Sequence, residues 1–248
     1  MTHQTRKTTR VRNLFAAALV LAAAFSTVNL AAAQGVTPPV TPDLITPPAG
    51  NTAFLLGRGV GTQGYVCLPT ATGASWTVNN ARPEATLFTK FFGQDVQIIT
   101  HFLSPNLNPK PNVTVPFGDA TWQSSFDSSR VWAQKRQQII AGTDLASCPH
   151  SGAIACLLLQ SVGNLQGPTG GKLLADTTFI QRLNTRGGSA PATGCAVAGD
   201  VGKQTLVPYS ADYYFFHQEQ DRPTRAEVAP TSAFRTRSRS FLGPRSEL

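Results

Sequence analysis

The sequence predicts an all-β fold: a single sandwich or barrel-like domain, stapled by disulfides and followed by a disordered basic tail. Three observations carry that prediction. Turn-forming residues punctuate the chain at Gly73, Pro83, Gly93, Pro105, Gly118, Gly142, Gly163, Gly170-Gly171 and Gly187-Gly188, and short strands separated by such breakers are the signature of sandwiches and barrels. Val96, Ile98, Thr100 and Phe102 fall on one face of a strand and Gln97, Ile99, His101 and Leu103 on the other, the period-two pattern of a half-buried strand. Finally, charged residues are only 14% of the chain, against 21 Gly and 18 Pro. An average domain carries roughly 25% charge. This composition excludes a coiled coil, a collagen-like chain and full disorder, and it disfavours a mainly helical protein.

In chain order, residues 1–33 read as a secretory signal peptide. Arg6, Lys7, Arg10 and Arg12 form a positive start, Leu14 to Phe25 an apolar run, and Ala31-Ala32-Ala33 a small-residue cleavage site before Gln34. The run from Leu14 to Ala33 is about long enough to span a bilayer, but Ser26, Thr27 and Asn29 interrupt it and no basic stop follows. The expectation is therefore an extracytoplasmic chain, periplasmic or secreted, with no transmembrane segment after cleavage. Residues 34–51 are rich in proline and read as an extended entry arm. A β-rich domain follows over 52–217. Its strand candidates are Ala53–Leu56, Gly64–Leu68, Ser75–Val78, Ala85–Lys90, Val96–Leu103, Ala120–Phe126, Ala153–Val162, Thr177–Asn184 and Asp212–Phe216. Trp132–Ile140 is the one segment that also fits a helix, and it fits an exposed edge strand as well. Residues 218–248 gain Arg, Ser and Pro, lose periodicity and read as disordered.

Charge is unevenly placed. The formal +8 includes four basic residues of the leader, which leaves 17 basic against 13 acidic residues in the mature chain. From Arg222 onward six Arg face only Glu227 and Glu247, so the body between holds 11 of each sign. A neutral body is a poor nucleic-acid binder, and no nucleic-acid partner is expected. The tail is a candidate contact for an anionic cell-surface polymer.

Cys67, Cys148, Cys156 and Cys195 all follow the leader. An even count in an oxidising compartment implies two disulfides, with three connectivities open. Cys148 and Cys156 enclose seven residues and can close a local loop, which would leave Cys67 for Cys195. No ligand spacing for zinc is present, and neither metal nor cofactor is expected.

Among motifs, Gly59-Val60-Gly61-Thr62-Gln63-Gly64 matches the glycine fingerprint of dinucleotide-binding folds, and Glu84 lies 20 residues beyond Gly64. That fingerprint must open a helix to hold a pyrophosphate. Here Tyr65-Val66-Cys67-Leu68-Pro69 follows, a strand ended by proline, so an NAD-dependent dehydrogenase is rejected in favour of a glycine-rich turn between strands. No G-x-S-x-G elbow occurs, and the acids of the body form no recognisable glycosidase pair. Of the histidines, His101 sits mid-strand. With Trp122, Asp127 and Arg182 it forms a candidate pocket offering a base, a stacking platform, a carboxylate and an anion clamp.

The run Ile180-Gln181-Arg182-Leu183-Asn184-Thr185-Arg186-Gly187-Gly188-Ser189-Ala190-Pro191, followed by Gly194-Cys195, resembles the hallmark of an exported bacterial and fungal family, domain of unknown function 3455. Gly64-Tyr65-Val66-Cys67, Pro83-Glu84-Ala85, His101-Phe102, Ala120-Thr121-Trp122, Asp127-Ser128-Ser129 and Val207-Pro208-Tyr209 with the aromatic run to Phe216 fit in the same order. The resemblance implies a Cys67–Cys195 bond. The chain departs from the pattern at 104–118, which looks like an insertion, and at Ala155-Cys156, where the family has Pro-Trp. That makes Cys148–Cys156 a local addition. The family brings no established activity, so two readings stand: a non-catalytic binding or envelope-associated module for an unknown ligand, and a secreted hydrolase or small-ligand enzyme with its pocket near His101.

Overall fold

The computed structural model describes residues 35–114 and 117–219. Eight strands follow one another: β1 (Asn51–Thr70), β2 (Gly73–Phe91), β3 (Gln94–Ser104), β4 (Asp119–Ser124), β5 (Arg130–Ile139), β6 (Cys156–Leu165), β7 (Thr177–Gly187) and β8 (Gln204–Gln218). Each pairs antiparallel with the next, and β8 returns to pair with β1, closing a barrel. Closure leaves no open sheet edge. The leader at 1–33 and residues 220–248 of the predicted tail lie outside the described residues. Among the described residues no helix is long and apolar enough to cross a membrane.

Two pairs of predicted segments merge. Ala53–Leu56 and Gly64–Leu68 are both parts of β1, and Ser75–Val78 and Ala85–Lys90 are both parts of β2. The glycine run is therefore not a turn between strands but the middle of β1. A Cβ at Gly57 would lie 2.9 Å from Leu87 Cδ2, one at Gly59 2.7 Å from Tyr213 Cε2, and one at Gly61 within contact of the Glu84 carbonyl. These glycines are the space into which Leu87 and Tyr213 pack, a role of glycine in strands where another group approaches closely. Opposite Gly64 the β1–β2 register jumps from Gln63↔Pro83 to Tyr65↔Val78, so residues 79–82 bulge out of the ladder and Pro83 owes it no N–H. The segment Trp132–Ile140 is strand as far as Ile139, not helix: it pairs with β4 and β6 with register shifts beside Ala133 and Gln137.

Alternation sorts the buried side chains into two layers. Leu87, Ile99, Trp122, Val131, Leu159, Ile180, Tyr213 and Phe215 pack inside the barrel. A second cluster, with Leu158, Phe179, Leu183, Tyr214 and Phe216, lies on the other face of β6, β7 and β8. These strands are apolar on both faces because the arm before β1 covers the outside. Ile45, fully buried, sits in that outer cluster, and Gln181 Nε2 donates to the Ile45 carbonyl at 2.8 Å. Covering one isoleucine is worth about 1.5–3 kcal/mol. The arm is thus a strap on the barrel rather than a free extension.

The meander gives the barrel two ends. The β1–β2, β3–β4, β5–β6 and β7–β8 connections lie at one. The other holds the β2–β3, β4–β5 and β6–β7 connections together with the outer ends of β1 and β8. Both disulfides belong to the first end. Cys67–Cys195 joins β1 to the β7–β8 loop with a Cα–Cα distance of 5.6 Å. Cys148–Cys156 joins the β5–β6 loop to the start of β6 at 6.1 Å.

Candidate functional site

The packed interior does not fill the barrel. At the disulfide-bearing end a cavity of about 1020 Å³ is lined by strand residues that include Tyr65, His101, Trp122, Arg182 and Tyr213. The inward positions of β3 and β4 place His101 opposite Trp122 in the register, and their rings stack at 4.0 Å with 10° between planes. Tyr213 reaches them from β8, with ring centroids 6.0 Å from His101 and 6.1 Å from Trp122. β8 is a sheet neighbour of neither β3 nor β4, so the contact spans the lumen. It is possible because Gly59 leaves room for the Tyr213 ring. The three rings form the floor where packed core gives way to open volume.

His101 Nδ1 lies 2.9 Å from the Thr121 carbonyl. A carbonyl only accepts, so Nδ1 carries the proton and Nε2 presents a lone pair. Burial of the ring, with Arg182 nearby, lowers its pKa to about 4 despite the Thr121 bond, and the imidazole is neutral at neutral pH. Arg182 stands on the cavity wall. Its Nη2 donates to the Ala155 carbonyl at 2.9 Å, and its guanidinium carbon lies 5.9 Å from the Tyr209 ring centroid, a cation–π approach. Its buried Nε has no hydrogen-bond partner, and the same holds for the buried Trp122 Nε1. Among the described residues no carboxylate forms a salt bridge with Arg182. The Tyr209 and Tyr213 hydroxyls share a 2.7 Å hydrogen bond, and burial pushes the Tyr209 phenol well up.

Two other charged groups line the cavity. Buried Asp119 accepts from Gln134 Nε2 at 2.8 Å and Asn106 Nδ2 at 3.4 Å, and exposed Lys135 donates to Gln138 at 3.1 Å. Three of the four residues singled out from the sequence thus face one volume. Asp127 does not: it lies at the opposite end of the barrel in the β4–β5 turn. There Oδ1 accepts from the Ser129 backbone and hydroxyl at 3.0 and 2.7 Å, and Oδ2 from Leu173 N–H at 2.8 Å. Partial burial pushes its carboxyl up, but the bonds from Leu173 and Ser129 outweigh burial and hold the pKa at about 2. Asp127 is a structural organiser there, fixing the loop whose Leu174 plugs the interior.

Sequence reasoning missed Tyr65, Tyr209 and Tyr213. The signal was present in β8, where Tyr209, Ala211, Tyr213 and Phe215 alternate inward.

The run from Ile180 to Ser189 has a role at nearly every position. Ile180 and Arg182 face inward, while Gln181 holds the strap. Asn184, at φ 50°, donates through Nδ2 to Asp212 at 3.0 Å, a conformation Asn tolerates better than most residues. Thr185 donates to the Ile154 carbonyl at 2.6 Å. Gly188, at φ 79°, accepts the Tyr65 hydroxyl at 2.7 Å. A side chain at Gly188 would collide with both Ile154 and Tyr209, each 2.8 Å from the added Cβ.

A closed, up-and-down eight-stranded barrel with a ligand-sized cavity at one end is the class of protein that fold and site define. The chain belongs to the family described as Protein of unknown function (DUF3455), whose model matches residues 48–217. No curated protein and no solved structure matches it significantly.

Proposed function

We propose that this chain is an exported, non-catalytic binding protein that holds a small molecule inside its barrel. The observation that carries the reading is the cavity itself. Its volume of about 1020 Å³ reaches the upper range of small-molecule sites, roughly 300–1,000 Å³. Its floor is aromatic, its walls mix aliphatic with polar side chains, and the polar ones, among them Gln63, Asp119, Gln134 and Arg182, converge from separate strands. Apolar and aromatic surface supplies contact area in such a pocket, and polar groups converging on it orient the ligand.

Catalysis by His101 is less well supported. An imidazole with a pKa of about 4 is a weak base near neutral pH, since efficient proton transfer wants a pKa near the working pH. Its Nδ1–H is held by a backbone carbonyl, and the carboxylate expected to assist it, Asp127, organises the far end. Export rests on the basic, apolar and small-residue stretches that follow one another in the sequence of residues 1–33 and on two disulfides that an oxidising compartment maintains.

Two measurements test the proposal. Thermal-shift screening of the mature protein against a metabolite collection should give hits that also change tryptophan fluorescence, to which Trp76 and Trp122 of the lining contribute, and Trp122→Leu should reduce that response. Hits that survive Trp122→Leu and Arg182→Gln together would place binding elsewhere. Cell fractionation with N-terminal sequencing should find an extracytoplasmic chain beginning near Gln34. A full-length cytoplasmic chain would overturn the export assignment.

A further inference from the structure

We infer that the ligand of this cavity is a small planar organic acid, whose carboxylate pairs with Arg182 while its flat body lies against the His101, Trp122 and Tyr213 rings. This inference rests on the binding reading above and adds the chemical class of the ligand. Charge supplies the first argument. Arg182 is half-buried on the cavity wall, it has no carboxylate partner among the described residues, and its Nε is buried without a hydrogen bond. Withdrawing a guanidinium from water without a countercharge is costly. Its planar fork is matched by a carboxylate better than by any neutral acceptor.

The remaining charged groups point the same way. Asp119, the acid on the lining, is taken up by Gln134 and Asn106, while Lys135 stands at the rim and adds a second positive charge. Neutral amide donors leave the Asp119 charge in place, so an incoming anion meets two cations against one acid, a net positive lining.

Shape supplies the second argument. The floor is a pre-stacked pair of rings at 4.0 Å flanked by Tyr213, all three packed so closely that only a narrow aromatic margin meets the cavity, and a flat π system gains edge contact with such rings. An aliphatic chain would gain area there but no such geometry. His101 completes the set. With Nδ1 protonated against the Thr121 carbonyl, its Nε2 is an acceptor, which suits a ligand that also carries an O–H or N–H donor.

Calorimetric titration of the mature protein with three probes tests this: 2-naphthoate, 2-naphthamide and decanoate. The acid is expected to bind about tenfold or more tightly than its neutral amide, the factor that one charge-assisted hydrogen-bonded pair provides, and more tightly than the flexible acid. Arg182→Gln should bring 2-naphthoate down to the amide's affinity. Arg182→Lys, which keeps the charge but loses the fork, should fall between. Arg136→Gln removes an equal charge outside the cavity and should leave the preference intact, and circular dichroism of each variant checks that the barrel has formed. Equal binding of acid and amide, a preference that survives Arg182→Gln, or tighter binding of decanoate would overturn the ligand class while leaving the cavity a binding site. Silence from all three probes together with an empty metabolite screen would instead overturn the binding reading on which the inference stands.

Discussion

The two ends of the barrel are built from the same eight strands yet solved differently. At the closed end the interior is filled. Leu174 is fully buried among the core side chains, and Asp127 ties its loop to the β4–β5 turn through Leu173 and Ser129. Ser129 Oγ in turn accepts from Leu174 N–H at 2.9 Å. The β2–β3 connection there is a two-residue turn with Phe92 at φ 46° and Gly93 at φ 79°, the backbone of a type I′ hairpin. At the other end the strands surround an unfilled volume, and both disulfides lie there. A barrel that keeps a cavity gives up packing at that end, and cross-links recover stability without filling the space.

That contrast can be broken in a definite order. Removing Cys67–Cys195 by a double Cys→Ala change should have the largest effect. Its sequence separation of 128 corresponds to about 5 kcal/mol of chain entropy, against about 2.5 kcal/mol for the separation of 8 at Cys148–Cys156. Urea unfolding of the two double variants should rank them in that order, and equal losses would show that strain or local packing dominates.

Acid comes next, and it separates the ends by pH. The folded pKa of His101 is depressed to about 4 from an ordinary 6.5. The unfolded chain therefore takes up a proton that the folded chain refuses, and stability falls as pH drops from 6.5 towards 4, by up to about 3 kcal/mol in total. Asp127, held at about 2 from an ordinary 3.8, contributes stability that is present above pH 4 and is lost only between about 4 and 2. Melting temperature against pH should show the first decline vanish in His101→Asn and persist in Asp127→Asn.

At neutral pH, Asp127→Ala should cost about 1–3 kcal/mol by leaving Leu173 N–H and Ser129 without their acceptor, with ligand affinity at the far end unchanged. An equal loss of ligand binding would show that the two ends are mechanically coupled. The smallest effect is expected of Gly59→Ala, about 1 kcal/mol for displacing the Tyr213 ring. Its readout is a changed near-ultraviolet dichroism from the cavity floor.

How far the sequence reveals this structure depends on the end. In β3 and β7 the predicted segments lie within the observed strands, although β7 is buried on both faces and a bulge in β3 turns Ile98 and Ile99 both into the interior cluster. β5 is obscure in sequence for a physical reason. Beyond Ala133 its inward positions face the cavity rather than a core, so Gln134, Lys135 and Gln138 erase the hydrophobic period that would mark a strand. β1 and β2 are cut in two by Gly and Pro residues that ordinarily signal turns. In a closed barrel the same residues make room for a facing ring or sit at a bulge. His101, Trp122 and Arg182 are recognisable by chemical type. Asp127 is chosen on the same ground, yet Asp-x-Ser is also the sequence of a turn in which the side chain caps the backbone two residues on, and that local role is the one it fills.

Closure of the barrel by β1 against β8 has a consequence for how the chain comes to be folded. Asn51 meets Gln218 and Val66 meets Gln204, so the first strand finds one of its two partners only after nearly the whole barrel sequence has been delivered. A polypeptide emerging N-terminus first must keep β1 half-paired until its last fifteen-residue strand appears, and such distant pairings form slowly. Under the export proposed above, a late-closing ring keeps the newly made chain threadable through a narrow channel. The final zippering, and the Cys67–Cys195 bond that seals it, would then belong to the far side of the membrane.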